Sequence, residues 1–161
     1  MSRTYKIAWM LGGVAIIVFD QLTKLLARNF IPDSGIFIFD NNIASLKLVY
    51  WQNPFIAFGI KLPLLDARIL PIITIAILLF IVYKATRQEN IFVFNCAILV
   101  AAGAISNVAD RLINHGGVTD FLSFSFLRVA WPAFNLADMI ITITAISFLI
   151  VELTKKNYEK H

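Results

Sequence analysis

The chain has 161 residues, of which 59% are hydrophobic and only 15% are charged, and its formal net charge is +4. A soluble domain usually contains about 25% charged residues and about 45–50% apolar residues. The surplus apolar surface must face something other than water, so the composition excludes a disordered chain, a nucleic-acid-binding module and an ordinary soluble enzyme. Cys96 is the only cysteine, which excludes an intramolecular disulfide and a cysteine-based zinc site.

Four apolar stretches can each reach about 20 residues, the length that a helix needs to cross a ~30 Å hydrocarbon core. The first could be a cleaved signal peptide, but no small-x-small cleavage site follows it, so a retained span is expected. We expect one membrane-embedded domain over 1–161, with spans at about 7–27, 62–83, 91–113 and 134–153.

Basic residues are concentrated in three short segments, 1–6, 84–90 and 152–161, which hold seven Lys and Arg in 23 positions. Because cytoplasmic loops are enriched in Lys and Arg, this bias places both termini and the 84–90 loop in the cytoplasm. The longer segments, roughly 28–61 and 114–133, then face outward.

The two outward segments have strand-like patterns. Residues 36–50 predict two short strands around the turn Asp40-Asn41-Asn42, and residues 118–127 alternate in part between polar and apolar side chains. The predicted fold class is a mainly α membrane protein, in which four transmembrane helices carry a small extracytoplasmic β-sheet and a loop over their outer end.

Polar residues lie at the outer end of three of the four spans. Ionisable side chains inside a bilayer are costly, so each requires a reason. With the predicted topology, the following residues converge on one site in the outer leaflet: Asp20, Gln21 and Lys24 of the first span, Ser106, Asn107, Asp110 and Arg111 of the third, Asn135 and Asp138 of the fourth, and Asn53 and Asp120 in the loops.

Carboxylates dominate the chemistry available at this site. His115 and His161 are the only histidines, and neither fits a Ser/His/Asp arrangement or a zinc site. Two carboxylates that lie close together share a proton, so one can take a proton from water while the other polarises a carbonyl. The residues thus favour aspartic peptide hydrolysis, with no cofactor and no metal. A small proton-coupled transporter or channel subunit is the alternative, since it too would use intramembrane acids.

Five stretches, in chain order, resemble the motifs of the lipoprotein signal peptidase (signal peptidase II) family of bacterial inner-membrane aspartic proteases. They are Asp20 to Lys24, Asn53 to Gly59, Gly103 to Arg111, Val118 to Phe121, and Phe134 to Asp138. Two positions depart from the family pattern, because Phe55 and Ser106 stand where the family has glycine.

The resemblance implies that Asp120 and Asp138 are the catalytic pair, a choice that sequence position alone does not make over Asp110. It implies a prolipoprotein substrate with a diacylglyceryl-modified cysteine, cut just before that cysteine, with the site toward the outer leaflet among membrane lipids. We expect a monomer in which Asn53, Asn107, Arg111, Asn135, Asp20, Lys24 and Asp110 bind substrate or support the pair.

Structural alternatives remain open for most of these residues. Asp138 could serve only as an anion at a helix start, and Asp110 with Arg111 could be structural. Asp20 and Lys24 are four residues apart on one helix face, so they could form an intrahelical ion pair or bind a lipid or substrate headgroup. The three asparagines could be polar contacts between helices.

Overall fold

The computed structural model describes residues 1–54, 69–114 and 116–158, which form four helices and four strands. In chain order these are α1 (Arg3–Phe30), β1 (Ile36–Asp40), β2 (Ala44–Asn53), α2 (Ile69–Thr86), α3 (Ile91–Ile113), β3 (Val118–Phe126), β4 (Val129–Ala130) and α4 (Leu136–Tyr158).

Three of the helices are long and apolar enough to cross a membrane: α1, α3, and the part of α4 from Leu136 to Lys155. This confirms a mainly helical chain of the membrane type. The predicted second span, 62–83, overlaps α2, but its first seven residues lie outside the described residues, so the fourth span stays a prediction. Helix α1 has 28 residues and is about 42 Å long. It ends at Phe30, beyond the predicted end at residue 27, and therefore includes Arg28.

Polar side chains cap the start of α1 and of α3. Ser2 precedes α1 and its hydroxyl accepts a hydrogen bond from the Tyr5 N–H at 3.2 Å. Asn90 precedes α3, where its side-chain oxygen accepts from the N–H groups of Phe92 and Val93. These oxygens satisfy N–H groups that have no partner inside the helix.

Helix α3 lies at the centre of the bundle and packs against α1, α2 and α4. It lies close to α4 at Gly103, where an added Cβ would lie 2.9 Å from the carbonyl oxygen of Ala137. Any side chain there would push the two helices apart. Asn107 is four residues further along α3 and therefore faces α4 from the same side.

The four strands form one antiparallel sheet in the order β1-β2-β3-β4. The hairpin between β1 and β2 turns at Asn41, whose side-chain oxygen accepts from the N–H groups of Ile43 and Ala44 at 2.9 Å each. The predicted strands within 36–50 and 118–127 are confirmed, whereas β4 was not predicted.

The long pairing between β2 and β3 connects the sheet to the helices. It runs from Ala44 opposite Phe126 to Asn53 opposite Val118, with an irregularity between Leu48 and Trp51. The start of β3 also contacts α1 and α3. The end of β2 and the start of β3 therefore lie at the helix ends that carry the polar residues.

Candidate active site

All nine predicted site residues lie in the described part of the chain, and they gather where α1 and α3 end and α4 begins. We term them, together with Arg28, the polar cluster: Asp20, Lys24 and Arg28 on α1, Asn53 on β2, Asn107, Asp110 and Arg111 on α3, Asp120 on β3, Asn135 just before α4, and Asp138 in its first turn.

Asn135 connects the two acids that the resemblance singles out. Its side-chain Nδ2 donates to Asp120 Oδ1 at 2.8 Å, and its backbone N–H donates to Asp138 Oδ2 at 3.2 Å. Asn135 is fully buried. One residue thus holds both carboxylates, one through its side chain and the other through its main chain.

Asp138 also has a part in starting α4. Its backbone N–H donates to Asn135 Oδ1 at 2.9 Å, so the two residues satisfy each other in a capping box. The predicted start near residue 134 places Asp138 about a turn inside the helix. The observed helix begins at Leu136, so Asp138 caps the helix and faces the cluster at the same time.

Asp120 receives its second hydrogen bond from the neighbouring strand. Asn53 pairs with Val118, so Asp120, two residues further along β3, lies diagonally across on the same face of the sheet. The Asn53 amide reaches it, with Nδ2 donating to Asp120 Oδ2 at 2.9 Å.

The environment of Asp120 disfavours its charged form. Burial, together with the negative charge of Asp138, raises the pKa of the Asp120 carboxyl to about 6. The hydrogen bonds from Asn53 and Asn135 and the positive charge of Lys24 act in the opposite direction. Asp120 can therefore hold a proton near neutral pH, as a general acid must.

Asp138 is bound on its other oxygen by Asn107, whose Nδ2 donates to Asp138 Oδ1 at 2.8 Å. The amide oxygen of Asn107 accepts from Lys24 Nζ at 2.7 Å. Because an ammonium group can only donate, Lys24 requires the oxygen of Asn107 on its own side and so turns the NH₂ group toward Asp138.

Asp20 and Lys24 form the intrahelical ion pair that their spacing suggests, with Nζ 2.8 Å from Asp20 Oδ2. Asp20 also accepts from the Ser106 hydroxyl at 2.6 Å and from the Ala137 N–H at 2.9 Å, which joins α1 to α3 and to the start of α4. Neither charged side chain has any exposed surface. Contact with a lipid or substrate headgroup thus has no support in this structure.

Asp110 is a fully buried connecting group. It accepts hydrogen bonds from the Arg28 guanidinium, from the Thr119 N–H and from Asn114 Nδ2, the last at 2.8 Å. Its two oxygens are thereby occupied by α1, by the start of β3 and by its own helix. This donor set distinguishes Asp110 from the pair held by Asn135.

One side of the cluster keeps some exposed surface. Asp138, Asn53, Asn107 and Arg111 are only partly buried, and Arg111 lies within electrostatic range of both Asp120 and Asp138. Among the described residues, no group of three His, Cys, Asp or Glu side chains is arranged to hold a metal ion. The arrangement offers two carboxyls bound by the same asparagine, amide donors and a guanidinium within electrostatic range.

Comparison with known families identifies the class of protein to which the chain belongs. A family model described as signal peptidase (SPase) II matches residues 13–154. The chain belongs to the signal peptidase II family. A member of this family is an aspartic peptidase, and paired carboxyls are the groups that such a hydrolase needs.

Its relatives match nearly the whole length of the chain. The lipoprotein signal peptidase of Thermodesulfovibrio yellowstonii is 36% identical over 87% of this chain and 90% of that protein. That of Syntrophus aciditrophicus is 33% identical over 96% of each. A solved structure of a bacterial membrane enzyme is similar with a TM-score of 0.78 at 30% identity, over 96% of this chain and 92% of that one.

The two departures from the signal peptidase II motifs differ in what the structure shows of them. Phe55 lies outside the described residues. Ser106 is fully buried, and its hydroxyl donates to Asp20 and accepts from Gln21 Nε2 at 2.9 Å. The serine is thus part of the network that holds α1 against α3.

Sequence reasoning missed two contributors to this signal peptidase site, Arg28 and Thr119. The predicted first span ends at residue 27, so Arg28 falls in an outward segment, and Thr119 lies within the stretch Val118 to Phe121 with no role assigned to it. One signal could have found Arg28, because Asp20, Lys24 and Arg28 recur at intervals of four and therefore share one face of α1. Thr119 carries no such signal, since its partners come from α1, α3 and the residue before α4.

Proposed function

We propose that this chain removes signal peptides from prolipoproteins whose cysteine carries diacylglycerol, and that it cuts just before that cysteine with Asp120 and Asp138 as the catalytic pair. The observation that carries the proposal is the bridge formed by Asn135, which donates to both carboxylates. Such a bridge holds the two acids side by side, as aspartic hydrolysis requires.

The charges of the polar cluster support a pair that shares one proton. The cluster contains three cations, Lys24, Arg28 and Arg111, and four carboxyls. With every carboxyl ionised, it would carry one negative charge in excess. A single proton on the catalytic pair makes the cluster neutral, and neutrality is strongly favoured where charges are buried.

The proposed reaction follows from that protonation state. The ionised carboxylate takes a proton from a water molecule, whose oxygen attacks the carbonyl carbon of the scissile peptide bond, while the protonated carboxyl gives its proton to the carbonyl oxygen. Collapse of the tetrahedral intermediate breaks the C–N bond: the proton taken from water passes to the leaving amine, and one hydroxyl proton of the intermediate returns to the pair, which is again singly protonated. The signal peptide leaves with the new carboxylate and the lipoprotein with the new amine.

The partly exposed members of the cluster are suited to holding the substrate. The guanidinium of Arg111 and the amides of Asn53 and Asn107 can donate to peptide carbonyls beside the pair, while the buried Asn135 fixes the pair itself. Asp20, Lys24 and Asp110 then support the catalytic pair and do not bind the substrate, since each is fully buried.

The membrane orientation belongs to the same proposal: a single domain and monomer in the bacterial inner membrane, with four spans, both termini in the cytoplasm and the site in the outer leaflet. The basic residues near both termini support it. So does the sheet beside the site, where Phe37, Tyr50, Trp51 and Trp131 are exposed. Aromatic side chains are favoured at the level of the lipid headgroups.

A cleavage assay tests the substrate and the cut. Purified protein in detergent, without any ion gradient, is given one precursor peptide in two forms, with and without diacylglycerol on the cysteine. We expect cleavage of the lipidated form with the lipidated cysteine as the new N-terminus, and a kcat/KM at least about 100-fold lower for the other form, because burial of acyl chains supplies binding energy. Equal cleavage of both forms, or a cut elsewhere, would contradict the proposal. A complete lack of cleavage of the lipidated form would contradict it as well.

The contact between Asn53 and Asp120 predicts a shift in pH dependence. The Asn53 hydrogen bond stabilises the Asp120 carboxylate, so Asn53→Ala should raise the pKa of Asp120 above its value of about 6. The shared proton is then lost at higher pH, and the alkaline limb of the kcat/KM profile should move up by about 1 pH unit. Gln52→Ala is the matched control, because Gln52 bonds to the Asn114 carbonyl. An unchanged or lowered limb in Asn53→Ala would refute this role.

A further inference from the structure

Arg28 lies in the last turn of α1, outside all five family motifs, and makes two directed contacts. Its Nε donates to Thr119 Oγ1 at 2.9 Å, and its Nη2 donates to Asp110 Oδ1. The other oxygen of Asp110 accepts the backbone N–H of Thr119. The three residues therefore form a closed ring, which we term the Arg28 clamp: Arg28, Asp110 and Thr119.

The clamp holds the residue directly before Asp120. The hydroxyl of Thr119 is bound by α1 and its N–H by α3, while its carbonyl oxygen accepts from Asn135 Nδ2 at 3.4 Å. Thr119 has no exposed surface. The main chain that enters Asp120 is thus tethered from three sides, and the position of the Asp120 carboxyl depends on those tethers.

We propose that Arg28 is a positioning residue for Asp120, acting through Asp110 and Thr119. The proposal rests on the catalytic role proposed above for Asp120. Arg28 contacts Asp110 and Thr119, which lie between it and Asp120, so its influence on Asp120 is geometric. A shift of about 1 Å in a catalytic group can lower a rate by about 10²-fold.

The chemistry of the contact calls for arginine. A guanidinium presents several N–H donors in one rigid plane, so Nε and Nη2 can serve two acceptors at fixed angles. Lysine would keep the positive charge beside Asp110 but offers a single donor centre on a flexible stem. Arg28→Lys therefore separates the geometry from the charge.

The location of Arg28 makes the variant practical. The side chain is 20% exposed, whereas that of Asp110 is fully buried. Water can reach the position when the guanidinium is replaced, so folding is expected to survive. Thr119→Val is a second, uncharged variant that removes the hydroxyl acceptor while keeping the side-chain shape and the N–H bond to Asp110.

The test measures kcat and KM for the lipidated precursor with Arg28→Lys, Thr119→Val and the double variant. We expect each single variant to lower kcat about tenfold to a hundredfold, with KM changed less than about threefold. The loss of kcat in the double variant should be close to the larger of the two single losses, because both substitutions remove the same hydrogen bond. Arg87→Lys is the control, since Arg87 lies over the ring of Tyr83 and touches no member of the clamp.

A pH profile separates positioning from a merely structural role. If Asp120 moves away from Asn53 and Asn135, it loses donors that favour its charge, and the alkaline limb of kcat/KM moves upward as in Asn53→Ala. A wild-type kcat and pH profile in Thr119→Val would overturn the proposal, as would additive losses in the double variant. The same measurements distinguish the role of Arg28 from the catalytic role of Asp120. If Asp120→Asn is inactive while both clamp variants have normal kcat, only the role of Arg28 fails. If Asp120→Asn is active, the proposed function itself fails.

Discussion

Asp120→Asn and Asp138→Asn are each expected to lower kcat for precursor cleavage by about 10³-fold or more. An amide cannot exchange a proton with water or with the peptide carbonyl, so either variant removes the general acid and general base pair that the mechanism needs. Both side chains keep their size. Asp120→Asn retains one acceptor for the donors from Asn53 and Asn135, and folding should therefore survive.

The measurement is single-turnover cleavage of the lipidated precursor, with thermal unfolding in detergent as the check on folding. Asp40→Asn is the matched control, because Asp40 is an exposed acid at the end of β1, and its rate should be unchanged. The double variant should be no slower than either single one, since residues that act as one unit show non-additive losses. Near-normal cleavage by either single variant would remove that residue from the catalytic pair.

The sequence could predict the elements that depend on local pattern. The apolar stretches predicted the helices, and the turn at Asp40-Asn41-Asn42 predicted the first hairpin, because Asn41 can fold the chain back through its own side chain. The end of α1 was missed, since a charged residue after an apolar run reads as the start of a loop. Arg28 is accommodated in the helix because its positive charge is paired with Asp110 on α3, which lies 82 positions away in the sequence.

The location of the site could be predicted from the sequence, but the identity of its catalytic acids could not. Span direction alone brought Asp20, Asp110 and Asp138 to one end of the bundle. Position could not show which acids are catalytic, because that depends on the donors that each one meets in the folded chain. Asp110 is enclosed by Arg28 and Thr119, whereas Asp120 and Asp138 share Asn135. Those contacts join segments that the sequence keeps far apart.

Lys24→Met is expected to be the most damaging change to stability, lowering the free energy of unfolding by about 3–5 kcal/mol. Lys24 Nζ lies 2.8 Å from Asp20 Oδ2 and 2.7 Å from Asn107 Oδ1, and neither Lys24 nor Asp20 has exposed surface. Methionine fills a similar volume but removes the positive charge. Asp20 is then left as a buried carboxylate with only the Ser106 hydroxyl and the Ala137 N–H as partners.

The chain supplies its own control in Lys155, whose ion pair with Glu152 has a similar length of 3.0 Å but is nearly half exposed. Lys155→Met should cost at most about 1 kcal/mol in the same unfolding measurement, because water screens an exposed pair. Combining Lys24→Met with Asp20→Asn should recover part of the loss, since no unpaired buried charge remains. Equal destabilisation by Lys24→Met and Lys155→Met, or a double variant worse than the sum of its parts, would show that charge compensation does not hold α1 against α3 and α4. The expected difference between the two lysines arises from burial and from the second partner that Lys24 has in Asn107, because residue type and ion-pair distance are closely matched.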